Sequence, residues 1–327
     1  MRNRAGKTAI LAALAVGITV GWELSGRTPA FSSSQSSAGV GESKIIAGSI
    51  AIQPNPSLKT NDYQDAVYYL DYRAGRLIVT IPPSLQSTTA RRSMLDRLSL
   101  SKQENNNNGS KDPSFLDNRV ERDLVKDFQI APGSSANFLM AVGQAGDVWS
   151  RLYVVETVSR KVATYRAEVR KVANASHPRF DLLDIRGFGD EHTPPLGKTS
   201  VTTGPIAMML NHVLDAAVNQ DAVYILDETN GRLWVSAPAM IQGGAGPTKT
   251  IENFVEYDLR KDFKMSANVP ARFVMTIGRV GMVNAPIYVF EEISRRVGVY
   301  RISPSMKGVQ VRLWIQLMEF KSIAPEK

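Results

Sequence analysis

Four tyrosines in this chain each precede an acid three residues later, a base eight residues later and an aliphatic residue nine residues later. The tyrosines are Tyr68, Tyr153, Tyr224 and Tyr288; the acids are Asp71, Glu156, Asp227 and Glu291; the bases are Arg76, Lys161, Arg232 and Arg296. An acid beside a base can transfer protons or create a ring of charge. A catalytic group has no reason to recur in every copy, however. We therefore interpret these as structural positions, with an ion pair across a hairpin that helps to set strand register.

A second set of candidate residues occurs only in the even copies. Tyr165-Arg166 and Tyr300-Arg301 stand twelve and thirteen residues after their repeat tyrosines. Arginine presents forked donors to carboxylate or sulfate, and tyrosine can stack on a sugar face. One interpretation of these pairs is two basic, aromatic-edged patches for an anionic polysaccharide. We favour the structural interpretation, in which tyrosine fills the sheet face and arginine points to solvent, as successive strand residues do.

The elements that would position both sets are β-hairpins. In the third copy Asn230-Gly231, a leading hairpin-turn signal, separates two runs of branched and aromatic residues. A short apolar run precedes each hairpin, and an alternating run that ends in phenylalanine follows it. The preceding runs are 45–52, 138–142, 207–210 and 273–277, and the following runs are 124–128, 180–188, 254–263 and 311–320. This pattern predicts an all-β fold of four repeated, four-stranded antiparallel units.

The odd and even copies differ at the hairpin turn. Odd copies have Gly75 and Gly231 there, whereas even copies have Arg160 and Arg295. The simplest origin is a module of two units that was itself duplicated. The larger spacing between the first two tyrosines is explained by residues 93–118, which we predict to be a surface insertion.

The hairpin sequence, apolar-Tyr-apolar-apolar-Asp followed by Gly-Arg-Leu, resembles the inner strands of bacterial β-propeller blades. The resemblance covers residues 45–322 and implies a propeller-like arrangement of four blades. Such an array would close on itself or pair with a second chain into an eight-bladed ring. The alternative is two β-sandwich domains, 45–190 and 205–322, joined by a linker at 191–204.

Residues 1–30 are predicted to be a signal peptide or a membrane anchor that contains a hydrophobic helix. Arg2, Arg4 and Lys7 precede an uncharged apolar run, 8–22, whose length of about 22 Å suits a signal peptide better than a full span. Pro29 disfavours cleavage, so an uncleaved anchor stays open. The basic start predicts export of the remaining chain to the periplasm or cell surface. Residues 31–44 are predicted to be a flexible tether.

Composition excludes several classes of function. The chain of 327 residues has no cysteine, which rules out disulfide scaffolds, thiolate metal sites and cysteine nucleophiles. The net charge of +8 includes four bases and one acid in residues 1–30, which leaves +5 for the remainder, too dilute for nucleic acid. No phosphate-binding loop, dinucleotide glycine motif or nucleophile elbow occurs in the sequence. We therefore expect no cofactor, metal or catalytic residue.

These observations favour an exported or membrane-anchored cell-envelope repeat protein that acts as a non-enzymatic binding or scaffolding module. Its expected partners are another protein or an anionic polysaccharide, with a homodimer as a further option. The alternative is an envelope carbohydrate-active hydrolase or lyase with its site in a propeller channel.

Overall fold

The computed structural model describes residues 36–37, 44–51, 63–72, 74–80, 119–144, 150–172, 175–190, 193–208, 218–238, 251–278, 286–307 and 310–323. All of them belong to one compact unit, Ser33–Lys327. The predictions for the signal or anchor segment, its hydrophobic helix and the insertion at 93–118 fall outside the described residues.

The described chain is all-β, with four repeated antiparallel sheets. Unit 1 contains β2 (Lys44–Ala51), β3 (Tyr63–Asp71), β4 (Arg76–Thr80) and β5 (Arg119–Asp123); unit 2 contains β6 (Phe138–Gln144), β7 (Ser150–Glu156), β8 (Lys161–Val172) and β9 (Ala175–Gly187). Unit 3 contains β10 (Thr199–Met208), β11 (Val218–Asp227), β12 (Arg232–Ser236) and β13 (Val255–Asp258); unit 4 contains β14 (Phe273–Ile277), β15 (Ile287–Glu291), β16 (Arg296–Lys307) and β17 (Gln310–Ser322). Within each unit, every strand pairs with the next along the chain, which confirms the predicted four-stranded units.

The four hairpin turns share one backbone conformation. Gly75, Arg160, Gly231 and Arg295 all have a positive φ, between 52° and 66°. The odd units require glycine because a Cβ on Gly75 would lie 2.7 Å from Cγ2 of Val125. The even units tolerate arginine at the same φ, and its side chain is useful there, since Arg160 donates hydrogen bonds to the carbonyls of Asp190, Thr193 and Pro194.

The strand predicted at 124–128 is wrong and the one predicted at 254–263 is wrong in its second half, because each odd unit ends in a single helical turn. These turns are α1 (Leu124–Asp127) and α2 (Leu259–Asp262). Asp123 caps α1 by accepting a hydrogen bond from the N–H of Lys126 at 3.1 Å. Leu124 and Phe128 are buried together because a spacing of four places both on one helical face.

The start of unit 3 also differs from the prediction. Strand β10 begins at Thr199, inside the range 191–204 that we predicted to be a linker, and the predicted run 207–210 covers only its end. Its first residues are mostly threonine, which is β-branched and polar, so the strand carries little apolar signal. Within the predicted tether, β1 (Ser36–Ser37) pairs with β10 and adds a fifth strand to this sheet.

Three hydrophobic clusters hold the described sheets together. The first joins units 1 and 2, the second joins units 2 and 3, and the third joins units 3 and 4. The first three sheets therefore each pack face against face on the unit that follows in the sequence. Within the described residues, the strands form no closed barrel.

Candidate functional site

Each sheet has two faces that serve different neighbours. We call the face that carries the repeat tyrosine the front and the opposite face the back. Tyr68 lies in the cluster shared with unit 2, Tyr153 in the cluster shared with unit 3, and Tyr224 in the cluster shared with unit 4. The fronts of units 1, 2 and 3 thus pack on the back of the following unit, and the three junctions all have the same direction.

A polar latch spans the junction between units 1 and 2. Asp127, at the end of α1, accepts two hydrogen bonds from the Arg122 guanidinium, at 2.7 and 3.1 Å, and one from the Tyr165 hydroxyl of unit 2 at 3.0 Å. Burial is the largest cause that raises the pKa of Tyr165, and the negative charge of Asp127 and its hydrogen bond raise that pKa further. In unit 3, Asp262 accepts a hydrogen bond from Tyr257 at 2.8 Å, and burial together with Asp262 raises the pKa of Tyr257 to about 12.

This packing places the tyrosine and the arginine of each candidate binding pair in different surroundings. Tyr165 and Tyr300 are completely buried, and the Tyr165 ring stacks on Phe180 with 5.1 Å between centroids. Neither ring presents a face to a sugar, so these tyrosines do not form the aromatic edge that the sequence suggested. Arg166 is half-buried and lies 3.4 Å from Glu168, whereas Arg301 is exposed on the front of unit 4.

The repeat acids organise the hairpin turns. Each stands opposite its repeat base in the strand register, as predicted. Glu156 nevertheless accepts hydrogen bonds from the N–H groups of Asn137 and Val158, both at 3.0 Å. Asp227 accepts from the N–H groups of Thr229 and Asn230 at 3.1 and 2.9 Å. These carboxylates satisfy turn amides that would otherwise lack a partner.

Glu291 shows the electrostatic consequence of this arrangement. It accepts hydrogen bonds from the N–H groups of Arg272, Ile293 and Ser294. Burial opposes its ionisation, but the hydrogen bonds from Ser294, Arg272 and Ile293 outweigh burial and lower its pKa.

The repeat bases contact residues outside their own hairpin. In the even units they reach the end of the preceding helical turn: Lys161 lies 3.4 Å from the carbonyl oxygen of Phe128, and Arg296 lies 3.1 Å from that of Phe263. In the odd units, Arg76 pairs with Glu121 at 3.3 Å and Arg232 pairs with Glu256. Among the described residues, the repeat bases thus contact other strands and units.

The junction between units 2 and 3 contains a buried charge that sequence reasoning missed. Arg151 is almost completely buried, and burial lowers its pKa; Tyr153 and Asp184 oppose that change, whereas the nearby Arg166 charge adds to it. Asp184 also accepts a hydrogen bond from the N–H of Ile251 in unit 3, at 3.2 Å. Repeat analysis could not find Arg151, because Pro286 occupies the matching position of unit 4.

Two faces have no neighbouring sheet within the described residues. On the front of unit 4, Tyr288 is 36% exposed and Trp314 is 50% exposed, while Phe290, Val297 and Val299 are half-buried. On the back of unit 1, Val67 is 39% exposed, and Tyr69 and Ile78 are half-buried. We call them the terminal faces. A sheet face that leaves several apolar residues exposed or half-buried is typical of an interaction surface.

Other kinds of site are not formed by the described residues. No three histidine, aspartate or glutamate side chains there come together in a way that could hold a metal ion. The helices in this part of the chain are single turns, and none is long and apolar enough to cross a membrane. In comparisons with known proteins, the chain matches no family model and no curated sequence.

Proposed function

We propose that this chain is a non-enzymatic binding and scaffolding module of the cell envelope, built as a propeller-like array of four sheets. The observation that carries the proposal is the pair of apolar terminal faces, one at each end of the array. A module of this kind binds partners through sheet faces, and its internal residues serve to hold those faces rigid.

The radial, propeller-like arrangement is supported by the uniform direction of the junctions and by close contact between first strands. A Cβ on Gly143 of β6 would lie 2.9 Å from Cβ of Asp221 and 3.1 Å from Cβ of Thr203 in unit 3. A Cβ on Gly204 of β10 would lie 2.6 Å from Cγ2 of Ile277 in unit 4. Successive first strands approach closely in a propeller, where they surround the axis. Two independent sandwiches would not require the cluster between units 2 and 3.

The non-enzymatic role is supported by how the repeated polar groups are used. Glu156, Asp227 and Glu291 bind turn amides, and Asp127 binds Arg122 and Tyr165. For Glu291, hydrogen bonds from neighbouring N–H groups outweigh burial and lower the pKa, which makes this carboxyl group a poor proton donor near neutral pH. The envelope location rests on the basic and apolar pattern of residues 1–30.

A photo-crosslinking experiment in cells tests the proposal. A photoreactive amino acid replaces Tyr288 on the front of unit 4 or Val67 on the back of unit 1. The matched control is Val158, an exposed residue in the hairpin turn of unit 2. We expect adducts of discrete mass in the envelope fraction from the two faces and none from Val158. The binding role would be contradicted by equal labelling at Val158 or by no adduct at either face. The envelope location would be contradicted by recovery of the protein in the cytosolic fraction, and the non-enzymatic role by turnover of an anionic polysaccharide by the purified protein.

A further inference from the structure

We infer that the partner of each terminal face is a second copy of this chain: the front of unit 4 binds the back of unit 1 of the second copy. Two such junctions would close a ring of two chains and eight sheets. This inference rests on the proposed function, because it names the partner of the same two faces.

The first step is the match between unit 4 and unit 2. Units 2 and 4 correspond residue by residue at an offset of 135. On the front of unit 2, Tyr153, Val155 and Val162 therefore correspond to Tyr288, Phe290 and Val297 of unit 4. The three residues of unit 2 are completely buried against unit 3. Their counterparts in unit 4 have the same chemical character but are partly exposed. Unit 4 therefore presents a front that is equivalent to one already covered elsewhere in the molecule.

The second step is the match between unit 1 and unit 3. Units 1 and 3 correspond at an offset of 156 in their first three strands. On the back of unit 3, Val223, Ile225 and Trp234 therefore correspond to Val67, Tyr69 and Ile78 of unit 1. The residues of unit 3 are completely buried against unit 2, whereas those of unit 1 are exposed or half-buried. The back of unit 1 is thus the counterpart of the surface that the front of unit 2 binds.

The third step is that polar pairs recur with the apolar residues. Asp184 and Arg186 lie 3.0 Å apart on the front of unit 2, and Glu319 and Lys321 lie 2.6 Å apart at the matching positions of unit 4. The pairs of Arg232 with Glu256 and of Arg76 with Glu121 match in the same way on the backs of units 3 and 1. Both terminal faces therefore keep the polar groups of the 2–3 junction.

The fourth step decides between one chain and two. A closed ring made by one chain would bury the front of unit 4 against its own unit 1, but both faces are open in the described structure. A repeated front-to-back contact either closes into a ring or continues as a filament. Because the open faces argue against a ring of four sheets made by one chain, and eight is the other multiple of four within the usual range of about four to eight blades, closure takes two chains.

Cysteine pairs test the inference, because the chain has no cysteine of its own. By the same offsets, Gly278 of unit 4 corresponds to Gly143 of unit 2, and Ala47 of unit 1 corresponds to Thr203 of unit 3. In the 2–3 junction, a Cβ on Gly143 would lie 3.1 Å from Cβ of Thr203. This separation is close to the span of a disulfide, about 3.5–4.5 Å. Under mild oxidation of the full chain in detergent, Ala47→Cys/Gly278→Cys should give a covalent dimer that reductant dissolves. The matched control, Gly143→Cys/Thr203→Cys, should form its disulfide within one chain.

Sedimentation of the unmodified full chain gives a second measurement that needs no engineered disulfide. We expect twice the 35.9 kDa mass of one chain. Val67→Arg and Tyr288→Arg should each weaken the dimer at least tenfold. Mixing the two variants should restore part of the association, because a mixed pair keeps one of its two junctions intact. A monomer at every concentration, or a disulfide within one Ala47→Cys/Gly278→Cys chain, would overturn the inference. Adducts from Tyr288 to a different protein, with a monomeric chain, would overturn it and leave the scaffolding proposal intact.

Discussion

The fronts of units 2 and 4 carry closely similar residues in very different surroundings. Tyr153 and Tyr288 hold the same place in the repeat, yet the first is completely buried and the second is 36% exposed. Strand β7 is buried along its whole length because sheets cover both of its faces, whereas β15 alternates between buried and more exposed residues. The comparison shows that both faces of each sheet carry apolar residues that suit contact with another sheet. The position of the sheet in the array decides which of these faces is covered.

Removal of the repeat tyrosine should have the largest effect on this comparison. Tyr153→Ala leaves a cavity in the junction of units 2 and 3 and should lower the free energy of unfolding by about 3–5 kcal/mol. Tyr288→Ala removes a partly exposed ring and should cost about 1 kcal/mol or less when the chain is monomeric. Urea unfolding of both variants at low protein concentration measures the difference. Equal losses would mean that unit 4 is already covered within one chain.

The matched glycines should give the next largest difference. Gly143→Ala places a Cβ against Asp221 and Thr203 in the packed junction and should cost about 1–3 kcal/mol. For Gly278→Ala, the three atoms nearest to the new Cβ belong to the Tyr288 ring, which can move because it is partly exposed, so the cost should be clearly smaller. Thermal unfolding of the two variants measures these costs. A neutral Gly143→Ala would show that the first strands are not in tight contact.

Alkaline pH provides a third way to sharpen the comparison. Burial raises the pKa of Tyr153, so its hydroxyl stays neutral in the folded chain while the unfolded chain ionises near pH 10. Stability should therefore fall as the pH rises above about 10, and each such tyrosine contributes about 1.4 kcal/mol per pH unit. Tyr153→Phe should reduce this slope by one such contribution. A slope unchanged in urea titrations at several pH values would show that Tyr153 already ionises in the folded state.

The smallest effect is expected from the polar pairs. Asp184→Ala removes the acceptor for the N–H of Ile251 inside the 2–3 junction and should cost about 1–3 kcal/mol, nearer the lower end because Asp184 is only partly buried. Glu319→Ala, the counterpart on the terminal face, should leave the unfolding free energy of the monomer unchanged within error. Chemical denaturation of both variants measures this. A loss at Glu319 as large as at Asp184 would contradict the interpretation of unit 4 as an open end.

Much of the fold could be predicted because its signals are local. Alternating apolar residues and the Asn230-Gly231 turn indicated hairpins, and the repeat frame indicated four units. The helical turns α1 and α2 were missed because Leu124 and Phe128 fit a strand and a helix equally well in so short a run. The start of β10 was missed because its threonines carry a weak apolar pattern, although they are β-branched.

The candidate site was harder to predict, because burial depends on contacts between units. The sequence suggested Tyr165 and Tyr300 as sugar platforms, but packing on the neighbouring unit buries both rings. It suggested an ion pair between each repeat acid and base, but the amides of the turn compete better for the acid. No pattern pointed to Arg151, since its role comes from a junction and not from its own strand.

The amino-acid sequence alone determined the number of units, their hairpins and the residues that alternate on each strand, since these follow from propensities over a few positions. The tertiary structure alone decided which faces are covered. Front and back residues such as Val155, Phe290, Val223 and Val67 are all apolar, so hydrophobicity by itself does not say which of them meets another sheet. That outcome depends on which unit lies next to each face in space.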